Sequence, residues 1–233
     1  CLMVLDTALL VIVSASSGTA LCDLARRKLL PALMHLEFDG LLPEKLRILA
    51  LSREETNVEN FMAGQQATLQ AYLGEQRWSK ALWETFCQRV YYVRVEFTEV
   101  DQYEALRQEL DHAHTSIFYF ATPPSLFQGI CENLSAAGCL SQNSRVVLEK
   151  PIGRDFDNCK EVNQTVGGFF DEERIYRIDH YLGKETVQNL LALRFANRFI
   201  NAQWDNTCID HVQITGKRIH RSTIGSWIGE SIC

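Results

Sequence analysis

The stretch that decides the fold is Leu9-Leu10-Val11-Ile12-Val13-Ser14-Ala15-Ser16-Ser17-Gly18. Its first five residues are apolar and have the length of a buried strand, and the small residues after them form a loop that leads into a helix beginning near Asp23. Residues 47–51 are predicted to form a second apolar strand, and the polar residues after it mark its end. Two parallel strands bridged by a helix form a right-handed crossover. The start of the chain therefore predicts a βα unit of a parallel sheet.

Helices and strands continue to alternate along the chain. Apolar residues recur at helical spacing from Val58 to about Gln88. The buried candidates in this region are Phe61, Leu69, Tyr72, Leu73, Leu82, Trp83 and Phe86. Further strands are predicted at residues 91–97, 116–121 and 144–149, with helices at 100–112 and 125–137. This alternation predicts an α/β fold with a doubly wound parallel sheet.

Composition and charge narrow the class of protein. The 233 residues are 46% hydrophobic, which is enough to bury a core, and the net charge of −6 argues against a nucleic-acid or membrane-surface role. No apolar stretch approaches the ~20 residues that cross a bilayer, and no secretory signal is recognised, so we expect a cytoplasmic enzyme. The eight cysteines lack the paired short spacing of zinc sites, so we expect free thiols and no metal.

The densest group of chemically useful side chains is Asp179-His180-Tyr181-Leu182-Gly183-Lys184-Glu185. This segment is predicted to begin a helix, whose first backbone N–H groups favour an anion. Lys184 lies four residues after His180 and therefore on the same helix face, so the two side chains can hold one phosphate. Residues 188–197 continue the helix with apolar residues at helical spacing, which are expected to back the motif rigidly. A solvated helix start is the alternative, but this mixture of residues predicts a phosphorylated substrate.

Residues 177–185, RIDHYLGKE, resemble the signature of the glucose-6-phosphate dehydrogenase family. Residues 23–33 (DLARRKLLPAL) and 149–153 (EKPIG) agree with the same family in order and spacing. The resemblance runs from about Leu10 to Thr215. It implies oxidation of glucose 6-phosphate to 6-phosphogluconolactone with NADP as cofactor, a step of the pentose phosphate pathway.

Three segments are expected from this resemblance. Residues 1–178 form a dinucleotide-binding domain with a Rossmann-type parallel sheet. Residues 179–215 hold the signature helix and the first strand of an incomplete, truncated α+β substrate domain, in which residues 209–215 alternate like a strand. Residues 216–233 do not match the family and are interpreted as an unrelated tail. The family is usually homo-oligomeric, through contacts expected from the region that this chain lacks.

The resemblance also implies which residues hold the cofactor. The family's loop after the first strand is a compact Gly-Ala-Ser-Gly-Asp-Leu-Ala, whereas residues 14–25 keep one glycine and are about four residues longer, which predicts weakened binding. Arg53 matches the position that meets the 2′-phosphate of NADP, although without the resemblance it is equally an ordinary surface arginine. Lys150 matches a lysine that contacts both sugar and nicotinamide. The predicted cofactor residues are Ser14, Ser16, Gly18, Asp23, Leu24, Arg53, Pro123 and Lys150.

The catalytic and substrate residues follow from the same resemblance. Asp179 matches the aspartate that holds the catalytic histidine, and Lys150 is the second predicted catalytic residue. The residues that match the phosphate-holding positions are His180, Tyr181 and Lys184. Oxidation of the sugar at C1 also needs a base that takes the hydroxyl proton. In the family that base belongs to a Gln-Asn-His segment, which this sequence does not contain, so the activity of the chain is expected to be impaired.

Two alternative functions stay open from the sequence. Glu-Lys-Pro after a strand also occurs in dehydrogenases of the same fold that act on unphosphorylated sugars, although these do not carry the motif at 179–185. The second alternative is a non-catalytic fragment that binds nucleotide or associates with full-length subunits. The preference for NADP over NAD is open as well.

Overall fold

The computed structural model describes residues 8–14, 28–111, 113, 115–150, 152–179 and 185–211, with only the backbone described at 185 and 186. The chain divides into two compact units, Cys1–Ile178 and Asp179–Cys233. The first unit contains the sheet, and the described part of the second contains two helices.

The first unit is built on a parallel sheet, with six strands among the described residues. The strands are β1 (Ala8–Ser14), β2 (Arg47–Ser52), β3 (Val90–Arg94), β4 (Thr115–Ala121), β5 (Arg145–Glu149) and β6 (Ile175–Ile178). Their spatial order is β3-β2-β1-β4-β5-β6, so the chain first builds outward from β1 on one side and then continues from β4 on the other. The doubly wound Rossmann-type α/β fold predicted from the sequence is confirmed.

Helices cover both faces of this sheet. Among the described residues of the first unit these are α1 (Leu30–Phe38), α2 (Val58–Leu73), α3 (Lys80–Arg89), α4 (Glu104–Leu110), α5 (Phe127–Ala136) and α6 (Phe156–Gly167). Buried residues of α1, α2 and α3 pack on one face, and those of α4, α5 and α6 pack on the other. Separately, the described part of the second unit contains α7 (Glu185–Phe195) and α8 (Arg198–Ala202).

Strand β1 is buried on both faces of the sheet, which explains its continuous run of apolar residues. Every residue of the strand is buried. Leu9, Val11 and Val13 join the core beneath α4, α5 and α6, whereas Leu10 and Ile12 join the core beneath α1, α2 and α3. Successive side chains of a strand point to opposite faces, so a strand covered on both sides must be apolar at every position.

The helical region from Val58 to about Gln88 contains two helices instead of the continuous stretch that its periodicity predicts. Gly74 follows α2 with a φ of 75°, a conformation that favours glycine, and the chain turns there before α3 begins. Asn57 and Ser79 cap the two helices, because each side-chain oxygen accepts a hydrogen bond from a backbone N–H in the first turn, at 2.8 Å and 3.1 Å.

Most of the buried candidates in this region are confirmed. The buried ones are Leu69, Leu73 and Phe86, and those partly buried against the same core are Phe61, Leu82 and Trp83. The prediction for Tyr72 is wrong, because this side chain is exposed and its ring lies edge-on to His35, with 5.3 Å between the ring centroids.

Two elements of the first unit, α6 and β6, are absent from the sequence-based prediction, as is the short helix α8 of the second. Helix α6 buries only Val162 and Val166, so its apolar residues give a weak helical period. Its start is marked by Asp155, whose carboxylate accepts a hydrogen bond from the backbone N–H of Asn158 at 2.8 Å. Strand β6 has four residues, which is too short for an alternating pattern to be recognised.

Helix α7 leaves its large apolar side chains exposed. Leu190, Leu191, Leu193 and Phe195 of α7 are all exposed. The helix predicted over residues 188–197 is confirmed as far as Phe195, whereas residues 180–184 of the signature lie outside the described residues, so the expected backing of that motif stays a prediction. No residue between 187 and 211 is buried, because two short helices are too small to enclose a core. Of the strand predicted at 209–215, residues 209–211 take no part in a strand, and the remainder lies outside the described residues.

The stability of the first unit is expected to fall at alkaline pH. Burial raises the pKa of the Cys131 thiol from 9.0 to about 12 and that of Cys139 to about 11. Below about pH 9 the folded and unfolded states both keep these protons, but at higher pH only the unfolded state releases them, so stability is lost as the pH rises toward about 12. We expect a lower urea midpoint at about pH 10 than at about pH 8, and a smaller difference in the Cys131→Ala variant. Equal midpoints at the two pH values would contradict this expectation.

Candidate functional site

The carboxyl ends of the parallel strands meet at one edge of the sheet, where open α/β folds bind their ligands. Four of the residues predicted from the sequence lie there: Ser14 ends β1, and Arg53, Pro123 and Lys150 come just after β2, β4 and β5. In the strand register, Ser14 pairs with Ala121 at the end of β4. Strands β1 and β4 flank the crossover point of the doubly wound fold, which is the position where such sheets bind dinucleotides.

Two hydroxyl groups at this crossover point are buried. The oxygens are Ser14 Oγ and Thr122 Oγ1, on residues that are 8% and 7% exposed, and neither has a hydrogen-bond partner among the described residues. A buried hydroxyl without a partner costs about 1–3 kcal/mol. Each hydroxyl offers one donor and two acceptor positions. The polar atoms present therefore fit the phosphate, ribose and amide groups of a nicotinamide dinucleotide.

Arg53 lies at the end of β2, which is where doubly wound sheets bind the adenosine ribose. A guanidinium nitrogen of Arg53 is 3.8 Å from a carboxylate oxygen of Glu96, and the two side chains are 34% and 35% exposed. Arg94, at the end of the neighbouring strand β3, is also exposed. This corner of the sheet therefore places positive charge, which suits a phosphate, beside the carboxylate of Glu96.

Lys150 comes directly after β5, and the last residue of that strand accepts a hydrogen bond from a buried tyrosine. The hydroxyl of Tyr119 on β4 donates a hydrogen bond to the carboxylate of Glu149, the last residue of β5. Burial, together with the Glu149 carboxylate, raises the pKa of Tyr119 far above its ordinary value. The phenol therefore keeps its proton at neutral pH and acts as a donor. This contact fixes the residue immediately before Lys150.

Several predicted site residues cannot be placed in the same way. Ser16, Gly18, Asp23 and Leu24 of the loop lie outside the described residues, as do His180, Tyr181 and Lys184 of the signature. Asp179 is described and partly buried, and it is the first residue of the second compact unit. For these positions the sequence-based assignment stays a prediction.

Three residues at the sheet edge are missing from the sequence-based set: Tyr119, Thr122 and Glu96. Thr122 directly precedes Pro123, which the sequence predicts as a cofactor residue, so a polar residue between a strand end and two prolines was the available signal. Tyr119 and Glu96 gain their roles from partners on other strands. Nothing in their own neighbourhood of the sequence distinguishes them from ordinary core and surface residues.

The part of the chain that the structure describes contains no group of three or more His, Cys, Asp or Glu side chains arranged to hold a metal ion. Within the same residues, no helix combines the length and apolar character needed to span a membrane. The described cysteines Cys87, Cys131, Cys139, Cys159 and Cys208 are free thiols.

Comparison with known proteins agrees with the fold. Residues 18–189 match a family profile described as "Glucose-6-phosphate dehydrogenase, NAD binding domain". The glucose-6-phosphate 1-dehydrogenase of Rhizobium meliloti (strain 1021) is 43% identical over 195 residues, which cover 83% of this chain and 40% of the relative. That of Dickeya dadantii (strain 3937) is 44% identical over 194 residues, covering 83% and 39%. The chain thus spans about 40% of the length of these curated relatives.

Solved structures give the same result. A glucose-6-phosphate dehydrogenase in complex with its substrate glucose-6-phosphate superposes with a TM-score of 0.75 at 29% identity, over 87% of this chain and 42% of that chain. The glucose-6-phosphate 1-dehydrogenase of Mycobacterium avium gives a TM-score of 0.74 at 28% identity, with the same coverage. The profile covers most of the chain, and the strand order and sheet edge described above are those of a dinucleotide-binding sheet. The chain belongs to the glucose-6-phosphate dehydrogenase family and contains its nicotinamide dinucleotide-binding domain.

Proposed function

We propose that the protein oxidises glucose 6-phosphate to 6-phosphogluconolactone with NADP, and that this chain supplies the dinucleotide site and part of the substrate site. The observation that carries the proposal is the position of Arg53 and Lys150 at the carboxyl edge of a sheet whose sequence matches the family over residues 18–189. A cytoplasmic location and homo-oligomeric assembly stay predictions from the family resemblance.

The choice of NADP rests on Arg53. Guanidinium groups bind phosphate through two parallel charge-assisted hydrogen bonds. In doubly wound sheets an arginine at the end of the second strand accommodates the 2′-phosphate that distinguishes NADP from NAD. Ser14 and Thr122 lie nearer the crossover point, where the pyrophosphate and nicotinamide are expected. Bound NADP would accept the hydride that leaves C1 of the sugar.

The choice of glucose 6-phosphate rests on the signature motif. His180, Tyr181 and Lys184 supply a ring nitrogen, a hydroxyl and an ammonium group within five residues, which suits a phosphate ester. Lys150 is proposed to contact the sugar and the nicotinamide ring. Asp179 is proposed to orient the histidine that takes the C1 hydroxyl proton, a role that general-base catalysis assigns to a carboxylate partner. That histidine would come from the Gln-Asn-His segment, which this sequence lacks.

We expect turnover to require the part of the relatives' chains that lies outside the region matched by this chain. We expect a chimera of residues 1–211 with the corresponding remaining part of the Rhizobium meliloti relative to reduce NADP in the presence of glucose 6-phosphate. The chain alone should be slower by about 100-fold or more, because a general base contributes about 10²–10⁴-fold to such a reaction. NADPH absorbance measures both rates.

Free glucose is the control substrate for this assay. The chimera should oxidise it at least about tenfold less efficiently than glucose 6-phosphate, because charge-assisted hydrogen bonds to the phosphate are lost. Equal efficiency with both sugars would favour the alternative function, a dehydrogenase of unphosphorylated sugars. Rapid NADPH formation by the chain alone would contradict the expected impairment.

A further inference from the structure

Arg53 and Glu96 form an ion pair at the carboxyl edge of the sheet. Arg53 follows β2, and Glu96 lies two residues beyond the end of β3, so the two strand ends bring their side chains together. The 3.8 Å separation between guanidinium nitrogen and carboxylate oxygen is longer than a hydrogen bond. The contact is therefore a Coulombic one between partly exposed groups, which a stronger anion can displace.

The backbone around Glu96 is held firmly. The N–H of Val95 donates to the carbonyl of Ser52 at 2.9 Å, which extends the pairing of β2 with β3 beyond the last residue of β3. The N–H of Glu96 donates to the side-chain amide oxygen of Gln102 at 2.8 Å. Next in the chain, the carbonyl of Phe97 accepts a hydrogen bond from the buried hydroxyl of Tyr103 at 3.1 Å. The backbone that carries the Glu96 side chain is therefore held in place close to Arg53.

The two side chains have opposite preferences for the adenosine ribose. The guanidinium of Arg53 attracts a 2′-phosphate, which carries close to two negative charges at neutral pH. The carboxylate of Glu96 repels that phosphate, but it accepts a hydrogen bond from the 2′-hydroxyl of NAD, as acidic residues do in dinucleotide-binding sheets. We propose that Glu96 is a specificity-determining residue that weakens the preference for NADP over NAD. This inference rests on the dinucleotide site of the proposed function.

The test compares the dissociation constants of NADP and NAD for the whole chain and for the Glu96→Gln variant, measured by isothermal titration calorimetry. Glutamine keeps the size of the side chain and removes its charge. We expect Glu96→Gln to bind NADP about 3- to 10-fold more tightly, as expected for removing one partly exposed like charge beside a phosphate. Binding of NAD should stay within about twofold or weaken, because the hydroxyl loses a charged acceptor.

Glu55→Gln is the matched control. Glu55 is exposed, lies two residues after Arg53, and has no described ion pair, so the variant makes the same change in net charge without removing the contact. Its ratio of NADP to NAD affinity should stay within about twofold of the unmodified chain.

The outcomes separate this inference from the proposed function. A larger NADP-to-NAD affinity ratio in Glu96→Gln, with the ratio unchanged in Glu55→Gln, supports the role of Glu96. An unmodified chain that binds NADP, with an unchanged ratio in Glu96→Gln, overturns the inference and leaves the dinucleotide site intact. An equal gain in both variants also overturns it, because net charge would then be the cause. If no variant binds either dinucleotide, the proposed site itself is overturned, and the inference with it.

Discussion

Replacing Arg89 with methionine is expected to lower the free energy of unfolding by about 3–5 kcal/mol, the usual effect of removing one partner of a buried ion pair. The Nε atom of Arg89, in α3, is 2.9 Å from a carboxylate oxygen of Glu37, in α1, in the geometry of an ion pair rather than a linear hydrogen bond. The two side chains are only 16% and 9% exposed. Methionine keeps much of the apolar stem but leaves the carboxylate of Glu37 buried without its cation.

Arg89 also closes the connection between α1 and β2. One of its terminal nitrogens donates to the backbone carbonyls of Pro43 at 2.9 Å, Glu44 at 2.7 Å and Leu46 at 3.2 Å. These carbonyls lose their charged donor in the variant, which adds to the cost. The arginine therefore ties two helices and one loop to the start of β2.

Lys80→Met is the control for this prediction. Lys80 is exposed, and its Nζ atom lies 3.5 Å from a carboxylate oxygen of Glu84 one helical turn away. Exposed pairs of this kind contribute about 0–1 kcal/mol. Urea denaturation followed by circular dichroism measures both variants. A loss in Arg89→Met no larger than in Lys80→Met would show that the buried pair does not stabilise the fold.

Replacing Phe118 with alanine is expected to have an effect of similar size, about 3–5 kcal/mol, through the loss of apolar contacts and the cavity left behind. Phe118 is fully buried in β4, where it pairs in register with Val11 of β1 and Val146 of β5. Its ring also meets that of Phe170, with centroids 6.4 Å apart in an edge-on arrangement. The side chain thus fills the centre of the core beneath α4, α5 and α6.

Phe156→Ala makes the same change in chemistry at an exposed position. Phe156 begins α6 and is 72% exposed, so its truncation should change the free energy of unfolding by about 0.5 kcal/mol or less. The two variants are compared by the same urea titration. A loss in Phe118→Ala below about 1 kcal/mol would contradict the close packing described for this core.

The central strands could be predicted because burial on both faces gives each of them a continuous apolar run in the sequence. A strand covered on both faces must be apolar at every position, and residues 9–13 and 117–121 satisfy this condition with few exceptions. The short strand β6 and the largely polar helix α6 have no such apolar pattern in their sequences. Tertiary contacts with β5 and α5 hold them in place, and those contacts cannot be read from four residues or from two buried valines.

Several residues at the carboxyl edge of the sheet could be predicted from the sequence, but the contacts between their side chains could not. The order of strands and helices is enough to bring Ser14, Arg53 and Lys150 to one edge, because parallel strands end on the same side. The contacts of Tyr119 with Glu149 and of Arg53 with Glu96 depend on which strands are neighbours and in which register. Local sequence contains neither piece of information.

We propose that the carboxyl edge of this sheet binds a nicotinamide dinucleotide and that Arg53 binds the 2′-phosphate of NADP. An equilibrium titration of the unmodified chain with NADP and with NAD, monitored by calorimetry, tests this directly. We expect saturable binding of one dinucleotide per chain, tighter for NADP, with the difference abolished in Arg53→Gln and retained in Arg94→Gln. Absence of binding, or equal loss of NADP affinity in the two arginine variants, would contradict this expectation.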